Sequence, residues 1–332
     1  MYVNHSVQRT PVKAPVVTRL LWLGRATITL GLAAYLIWQL KDQLGLLQLN
    51  LVKPAFLGMG VLVAVLGIML STLLWRLFIP HSHSLPFHQL LSHYLLGLLL
   101  NNFLPGGIGG DAARAIALNR AIGKADIAVS TVFGTRLAGL WSIVLMASGA
   151  GLLYTLYHQS SYSAQLLVTS SGALVVTLLV TAYLFGAPVP AIFKKLPPHW
   201  ISWYARLRAY RSSPFRLATA LAYALGIQIC AISINLLTAQ ALGLSIAAWQ
   251  LCLSLPLITL VTLLPISVGG FGVREGSYVL LLSFTGVPAT DALVLSLAVY
   301  LLLTLVTATG AGFSLLLSSN PLIPATREDH SS

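Results

Sequence analysis

Leu104-Pro105-Gly106-Gly107-Ile108-Gly109-Gly110-Asp111-Ala112-Ala113-Arg114 breaks an apolar run with a proline, four glycines and two charges. The chain repeats the pattern as Leu264-Pro265-Ile266-Ser267-Val268-Gly269-Gly270-Phe271-Gly272-Val273-Arg274. Both stretches read L-P-x-x-x-G-G-x-x-x-R, at a constant offset of 160 residues (274 − 114). A Pro, two adjacent Gly and an Arg in fixed register rarely coincide by chance. Each copy sits where a membrane protein tolerates breakers and charge least. The pair is the first candidate for a functional site.

Composition supports the membrane setting. The chain is 57 % hydrophobic and 8 % charged, with a mean hydropathy of +0.86. A soluble domain would carry roughly a quarter charged residues. Several apolar runs reach the ~20 residues needed to cross a bilayer. The net charge is +12 with seven acids. In such a chain the excess points to cytoplasmic loops on anionic lipid, not to nucleic acid. Cys230 and Cys252 lack CxxC spacing, so neither a disulfide nor a metal site is expected. No G-x-x-x-x-G-K-[ST] stretch occurs, which excludes ATP hydrolysis by a P-loop. No cleavable signal peptide is evident, because the first apolar run starts late and is long enough to stay as a span.

Outward from the motifs, the chain divides into two similar halves. Residues 1–19 form a disordered basic N-terminus, 20–318 a single integral membrane domain (halves 20–160 and 161–318), and 319–332 a polar tail. The first half predicts spans at 20–40 and 54–79, a re-entrant hairpin around the first motif, and a span at 126–157. The second predicts spans at 164–186 and 215–243, a hairpin with arms 247–264 and 272–286, and a span at 291–317. The fold class is therefore all-α and polytopic: an inverted repeat of span, span, re-entrant hairpin, span, with about six full spans and two hairpins. Three crossings per half is odd, so the second half enters the membrane inverted. With both termini cytoplasmic, fifteen of the nineteen Lys and Arg fall on or near the inside. Only Lys41 and Lys53 fall outside, while Arg136 and Arg274 lie within the membrane. Inverted repeats with broken helices are a common design of secondary transporters.

Other features have plainer readings. His81, His83, His88 and His93 read as an interfacial loop leading into a helix, since His88 and His93 do not share a helix face and no carboxylate is near. Asp126 and Asp291, just after the two hairpins, read as N-terminal helix caps. Gly107-x-Gly109-x-x-Ala112 mimics a dinucleotide fingerprint without the strand that it requires. Lys194, Lys195, Trp200, Trp203, Arg206, Arg208 and Arg211 interleave aromatic and cationic residues in one loop. They read either as an interfacial helix on the cytoplasmic leaflet or as an ordinary positive-inside loop.

The candidate substrate-binding set comes from the two hairpins and the span that follows the first. It comprises Asn101, Asn102, Pro105, Gly106, Gly107, Gly109, Gly110, Asp111, Arg114 and Arg136, then Pro265, Ser267, Gly269, Gly270, Gly272, Arg274 and Glu275. Half-helix N-termini offer free N–H groups and partial positive charge, which suit phosphate. Arginine adds a permanently charged planar fork. Ionisable residues inside a membrane are functional candidates by default. Plain alternatives stay open. Arg114 could lie shallow, Arg274–Glu275 could be a structural ion pair, and the asparagines could answer the broken helix's carbonyls instead of a substrate. No metal, cofactor or nucleic acid is expected.

Asn101-Asn102-x-Leu104-Pro105-Gly106-Gly107-x-Gly109-Gly110-Asp111-x-x-Arg114 and Leu264-Pro265-x-Ser267-x-Gly269-Gly270-x-Gly272-x-Arg274-Glu275 resemble the lysylphosphatidylglycerol synthase transmembrane region, a flippase-like membrane family. Trp75-Arg76 and Arg136 also resemble its pattern, and the likeness spans about residues 20–318. In the family's aminoacyl-lipid enzymes this region is fused to a soluble aminoacyltransferase domain and moves the charged lipid across the bilayer. The short tail here leaves no room for that domain, so lipid aminoacylation is not implied. Thr135 stands where the family pattern often has an acid before Arg136, which leaves that arginine without its usual neighbour.

The resemblance implies a non-enzymatic lipid translocase in the cytoplasmic membrane, moving a phospholipid or polyprenyl-phosphate-linked lipid without ATP. Two other classes stand beside it. One is a lipid-binding partner of a glycosyl- or acyltransferase, and the other a secondary transporter of a small anion.

Overall fold

In a computed structural model the described residues are 53–103, 108–157, 172, 175, 213–263, 267 and 270–318. The predicted spans at 20–40 and 164–186, both termini and the basic aromatic loop lie outside them. Among the described residues there are eight α-helices, one 3-10 turn (His81–His83) and no strand. The helices are α1 (Pro54–Phe78), α2 (Phe87–Phe103), α3 (Ile108–Ile122), α4 (Ala125–Tyr157), α5 (Pro214–Ala241), α6 (Ala248–Thr262), α7 (Val273–Ser283) and α8 (Ala289–Ser318). Four are long and apolar enough to cross a membrane: α1, α4, α5 and α8. With α6 to α7 following α5 as α2 to α3 follow α1, the lengths run long, short, short, long twice.

Local sequence sets these limits. Pro54 and Pro214 open α1 and α5, where a missing N–H costs nothing and the fixed φ already suits a helix. Asp126 and Asp291 are not caps, because the helices begin at Ala125 and Ala289 and both acids lie inside the first turn. There they still face the positive end of the helix dipole.

The helices turn apolar surface outward, as a lipid solvent requires. Met59, Leu62, Leu66 and Met69 line an exposed stripe of α1, and Leu297, Leu301 and Leu305 one of α8. Inside, small residues let backbones approach. A Cβ on Gly67 would lie 3.4 Å from Cys230 Cβ, and one on Gly226 3.2 Å from Leu70, so α1 and α5 pack along their length. Two further contacts position the site. α4 packs on α6, with Tyr154 stacked on Trp249 at 5.2 Å, and α8 packs on α2. Each long fourth helix thus braces the short pair of the other half.

Candidate functional site

The arms α2 and α3 run antiparallel and touch at glycines. A Cβ on Gly97 would sit 2.7 Å from Arg114 Cγ, and one on Gly110 would strike the Gly97 carbonyl. Asn101 Oδ1 accepts from the Gly110 N–H at 3.3 Å. It therefore answers a free donor at the start of α3, not an orphan carbonyl, because its side chain reaches across to the next helix's N-terminus.

Asp111 then collects two arginines. Its Oδ1 accepts from Arg114 Nη2 and its Oδ2 from Arg136 Nε. Arg136, which the sequence left without a neighbouring acid, finds one twenty-five residues upstream. The Arg114 guanidinium carbon lies 4.8 Å from the Tyr94 ring centroid and 5.6 Å from that of Trp75. Trp75 Nε1 donates to Thr131 Oγ1 at 3.2 Å. With 8 % of its surface exposed, Arg114 is a buried, aromatic-caged cation. The shallow reading of this residue is overturned.

The second stretch folds differently. Gly270 and Gly272 take φ of 77° and 79°, the left-handed region that glycine enters freely. α7 starts only at Val273, so Arg274 is its second residue, whereas Arg114 lies two turns inside α3. Glu275 Oε2 accepts from the Gly272 N–H at 2.6 Å, and Oε1 accepts from Arg274 Nε at 3.1 Å and from Nη2. One carboxylate thus caps the helix and holds the arginine. The Arg274 guanidinium carbon is 4.1 Å from the Tyr300 centroid and 5.4 Å from that of Phe271. Ser254 Oγ and Gln250 Nε2 donate to the Leu281 and Thr285 carbonyls and tie α6 to the far end of α7.

The two stretches meet at a cavity of about 330 Å³. Asn101 and Arg136 line it from the first half, Gly270 and Arg274 from the second. Thr262 and the α8 residues Tyr300, Thr304 and Thr307 complete its polar wall. Asp111, Arg114 and Glu275 stand behind this wall and orient the arginines in it. Gly272 serves as the cap of α7, and Gly109 and Gly110 lie within the first turn of α3. Ser267 is buried, and its hydroxyl has no partner among the described residues. Pro105, Gly106, Gly107, Pro265, Gly269 and the Asn102 side chain lie outside the described residues, as do Lys194, Lys195, Trp200, Trp203, Arg206, Arg208 and Arg211. The α8 residues were missed in the sequence. Their signal was a polar stripe at spacings of four and three in an otherwise apolar span.

An array of two arginines, an amide and several hydroxyls, fixed by carboxylates behind it, can hold an oxyanion by charge-assisted hydrogen bonds. Residues 22–312 match the family described as Lysylphosphatidylglycerol synthase TM region. The chain is an integral membrane protein belonging to that family. What the match covers is the family's membrane region, which links the chain to lipid modification and translocation. No curated protein matches the sequence.

Proposed function

We propose that this protein moves a phosphate-bearing lipid between leaflets, with the headgroup phosphate held between Arg136 and Arg274. The observation that carries the reading is the cavity to which both halves contribute a cation and both hairpins a polar group. The apolar outer faces of α1 and α8 are where acyl or prenyl chains would ride. With no ATPase motif in the chain, movement is downhill, or coupled to protons through Asp111 or Glu275.

In this reading the two halves form an inverted repeat. The short helices α2, α3, α6 and α7, none longer than 17 residues, are two re-entrant hairpins, one entering from the cytoplasm and one from outside. The membrane is the cytoplasmic one, with both termini inside. Two features support this: matched helix order at a constant sequence offset, and the inside bias of the positive charges. Cysteines placed at matched positions 160 residues apart test it. If both Gly-Gly turns react only from the same side, the inverted arrangement is wrong.

The functional test is reconstitution into liposomes with a panel of labelled phospholipids and polyprenyl phosphates. Wild-type protein is expected to accelerate exchange of at least one lipid, and Arg274→Ala to return it to the rate of empty vesicles. If no lipid exchanges faster than in empty vesicles, the proposal fails. Uptake of a soluble anion would then favour a secondary transporter, and binding without movement a scaffold for a lipid-modifying enzyme.

A further inference from the structure

A second cavity, about 320 Å³, adjoins the first and shares Ile68, Leu98, Thr262, Arg274, Tyr300 and Leu303 with it. Its remaining wall is mostly apolar, with Ala64, Ile234, Leu255, Ile258 and Val299 among its residues. Two of its polar groups satisfy each other, since Tyr278 Oη donates to Asn235 Oδ1 at 2.8 Å. Ser296 is different. It lines this cavity, it is 1 % exposed, and its Oγ has no partner.

That orphan is unusual for this protein. Ser71, Thr72, Thr238 and Thr307 all turn their hydroxyls back onto the carbonyl four residues earlier, the ordinary refuge of a hydroxyl in a membrane helix. Ser296 and Thr304 do not, and both hydroxyls are buried. The two residues flank Tyr300 at spacings of four on one face of α8. Successive members of this ladder stand about 6 Å apart along the helix. Thr304 opens into the arginine cavity, Tyr300 lies under Arg274 at the junction, and Ser296 opens into the apolar cavity. The repeat offset adds a second observation, because position 296 is the counterpart of Arg136 (136 + 160). Where one half places a cation, the other places a neutral donor.

We propose that the two cavities form one site for an acyl-ester phospholipid, its phosphate on Arg136, Arg274 and Thr304, an ester carbonyl accepting from Ser296, and the adjoining acyl chain in the apolar cavity. This rests on the lipid reading above and narrows it from two lipid classes to one. A buried hydroxyl amid aliphatic side chains is answered by an uncharged acceptor carried on a hydrocarbon chain. An ester carbonyl is such a group, and one turn along the helix is the scale of a glycerol unit between phosphate and ester. A polyprenyl phosphate brings no carbonyl and leaves Ser296 unanswered.

The test uses the purified full chain in detergent and needs no transport. Binding of dioctanoyl phosphatidylglycerol is compared with that of its ether-linked analogue, which lacks only the carbonyls, and with farnesyl phosphate. The ester lipid is expected to bind about fivefold more tightly than the ether, the worth of one net hydrogen bond. Ser296→Ala is expected to bring the ester down to the ether's affinity and to leave the ether where it was. Thr304→Val should weaken both lipids alike and keep their ratio, a readout that loss of folding would not give. Equal affinity for ester and ether in the wild type, farnesyl phosphate matching the ester, an equal loss of both lipids in Ser296→Ala, or no binding of either would overturn the proposal. A protein that prefers the ester but moves no lipid would retain this site and lose the translocase reading. One that moves lipids without an ester preference would do the reverse.

Discussion

Arg114 and Arg274 occupy the same letter of a repeated stretch, and each has an acid and two aromatic rings around it. The resemblance stops there. Arg114 lies inside a helix, sealed between Trp75 and Tyr94, with its acid shared by Arg136. Arg274 lies at a helix start, lines the cavity, and has an acid of its own that also caps the helix. Matched sequence has produced one structural cation and one available cation. In the first half the available role has passed to Arg136, whose side chain is 38 % exposed against 10 % for Arg114.

This contrast can be broken experimentally, starting with the largest effect. Asp111→Ala leaves Arg114 buried with its carboxylate removed. Breaking a buried pair in this way costs about 3–5 kcal/mol, read as a large fall in the unfolding midpoint in detergent together with loss of lipid exchange. An unchanged midpoint would mean that Arg114 is not held as described.

The glycines come next, because two positions matched in sequence need glycine for different reasons. Gly110→Ala drives a methyl into the Gly97 carbonyl, an overpacking cost of about 1–3 kcal/mol. Gly270 has open space where a Cβ would go but a φ of 77°. Its alanine variant therefore pays only in backbone strain, about 1–2 kcal/mol. Shortening Asn101 to Ala alongside should leave the Gly110→Ala defect in place, since its main collision is with backbone.

Glu275→Ala is expected to lose about 1 kcal/mol as a helix cap, yet to abolish exchange, since Arg274 then has no fixed orientation. A variant that loses stability and activity in proportion would place Glu275 with Asp111 as a scaffold residue. Last, Arg120 is exposed near the end of α3. Arg120→Ala should stay within about 0.5 kcal/mol of the parent and retain exchange. Equal activity of Arg274→Ala, Glu275→Ala and Arg120→Ala at equal expression would count against the site as a whole.

Much of the fold was legible before any coordinates. Apolar run lengths placed α1, α4, α5 and α8 to within a few residues, because hydrocarbon thickness leaves little freedom in span length. Pro105 and Pro265 with their glycines marked where runs must break. The partners of the charged groups were not legible. Nothing local joins Asp111 to Arg136, since the pairing is made by α3 packing on α4. The caps assigned to Asp126 and Asp291 missed by one or two residues, because a first-turn acid and a capping acid satisfy the same electrostatics. The polar stripe of Ser296, Tyr300, Thr304 and Thr307 was visible in the letters, but in a long apolar span a few hydroxyls usually bond to their own backbone.

What the sequence alone determined is the solvent and the breaks: a chain built for lipid, with two interrupted helices and an arginine beside each interruption. Burial energy and backbone hydrogen bonding act over a few turns, so composition and spacing are enough to read them. Only the tertiary structure decided which arginine is spent on the fold and which faces the cavity. That choice depends on where each helix starts relative to its motif, five residues later in the second copy than in the first (Val273 against position 268, the counterpart of Ile108). It depends equally on which side chains of α1, α2, α4 and α8 arrive around the arginine. Those are long-range packing outcomes, and identical letters leave them open.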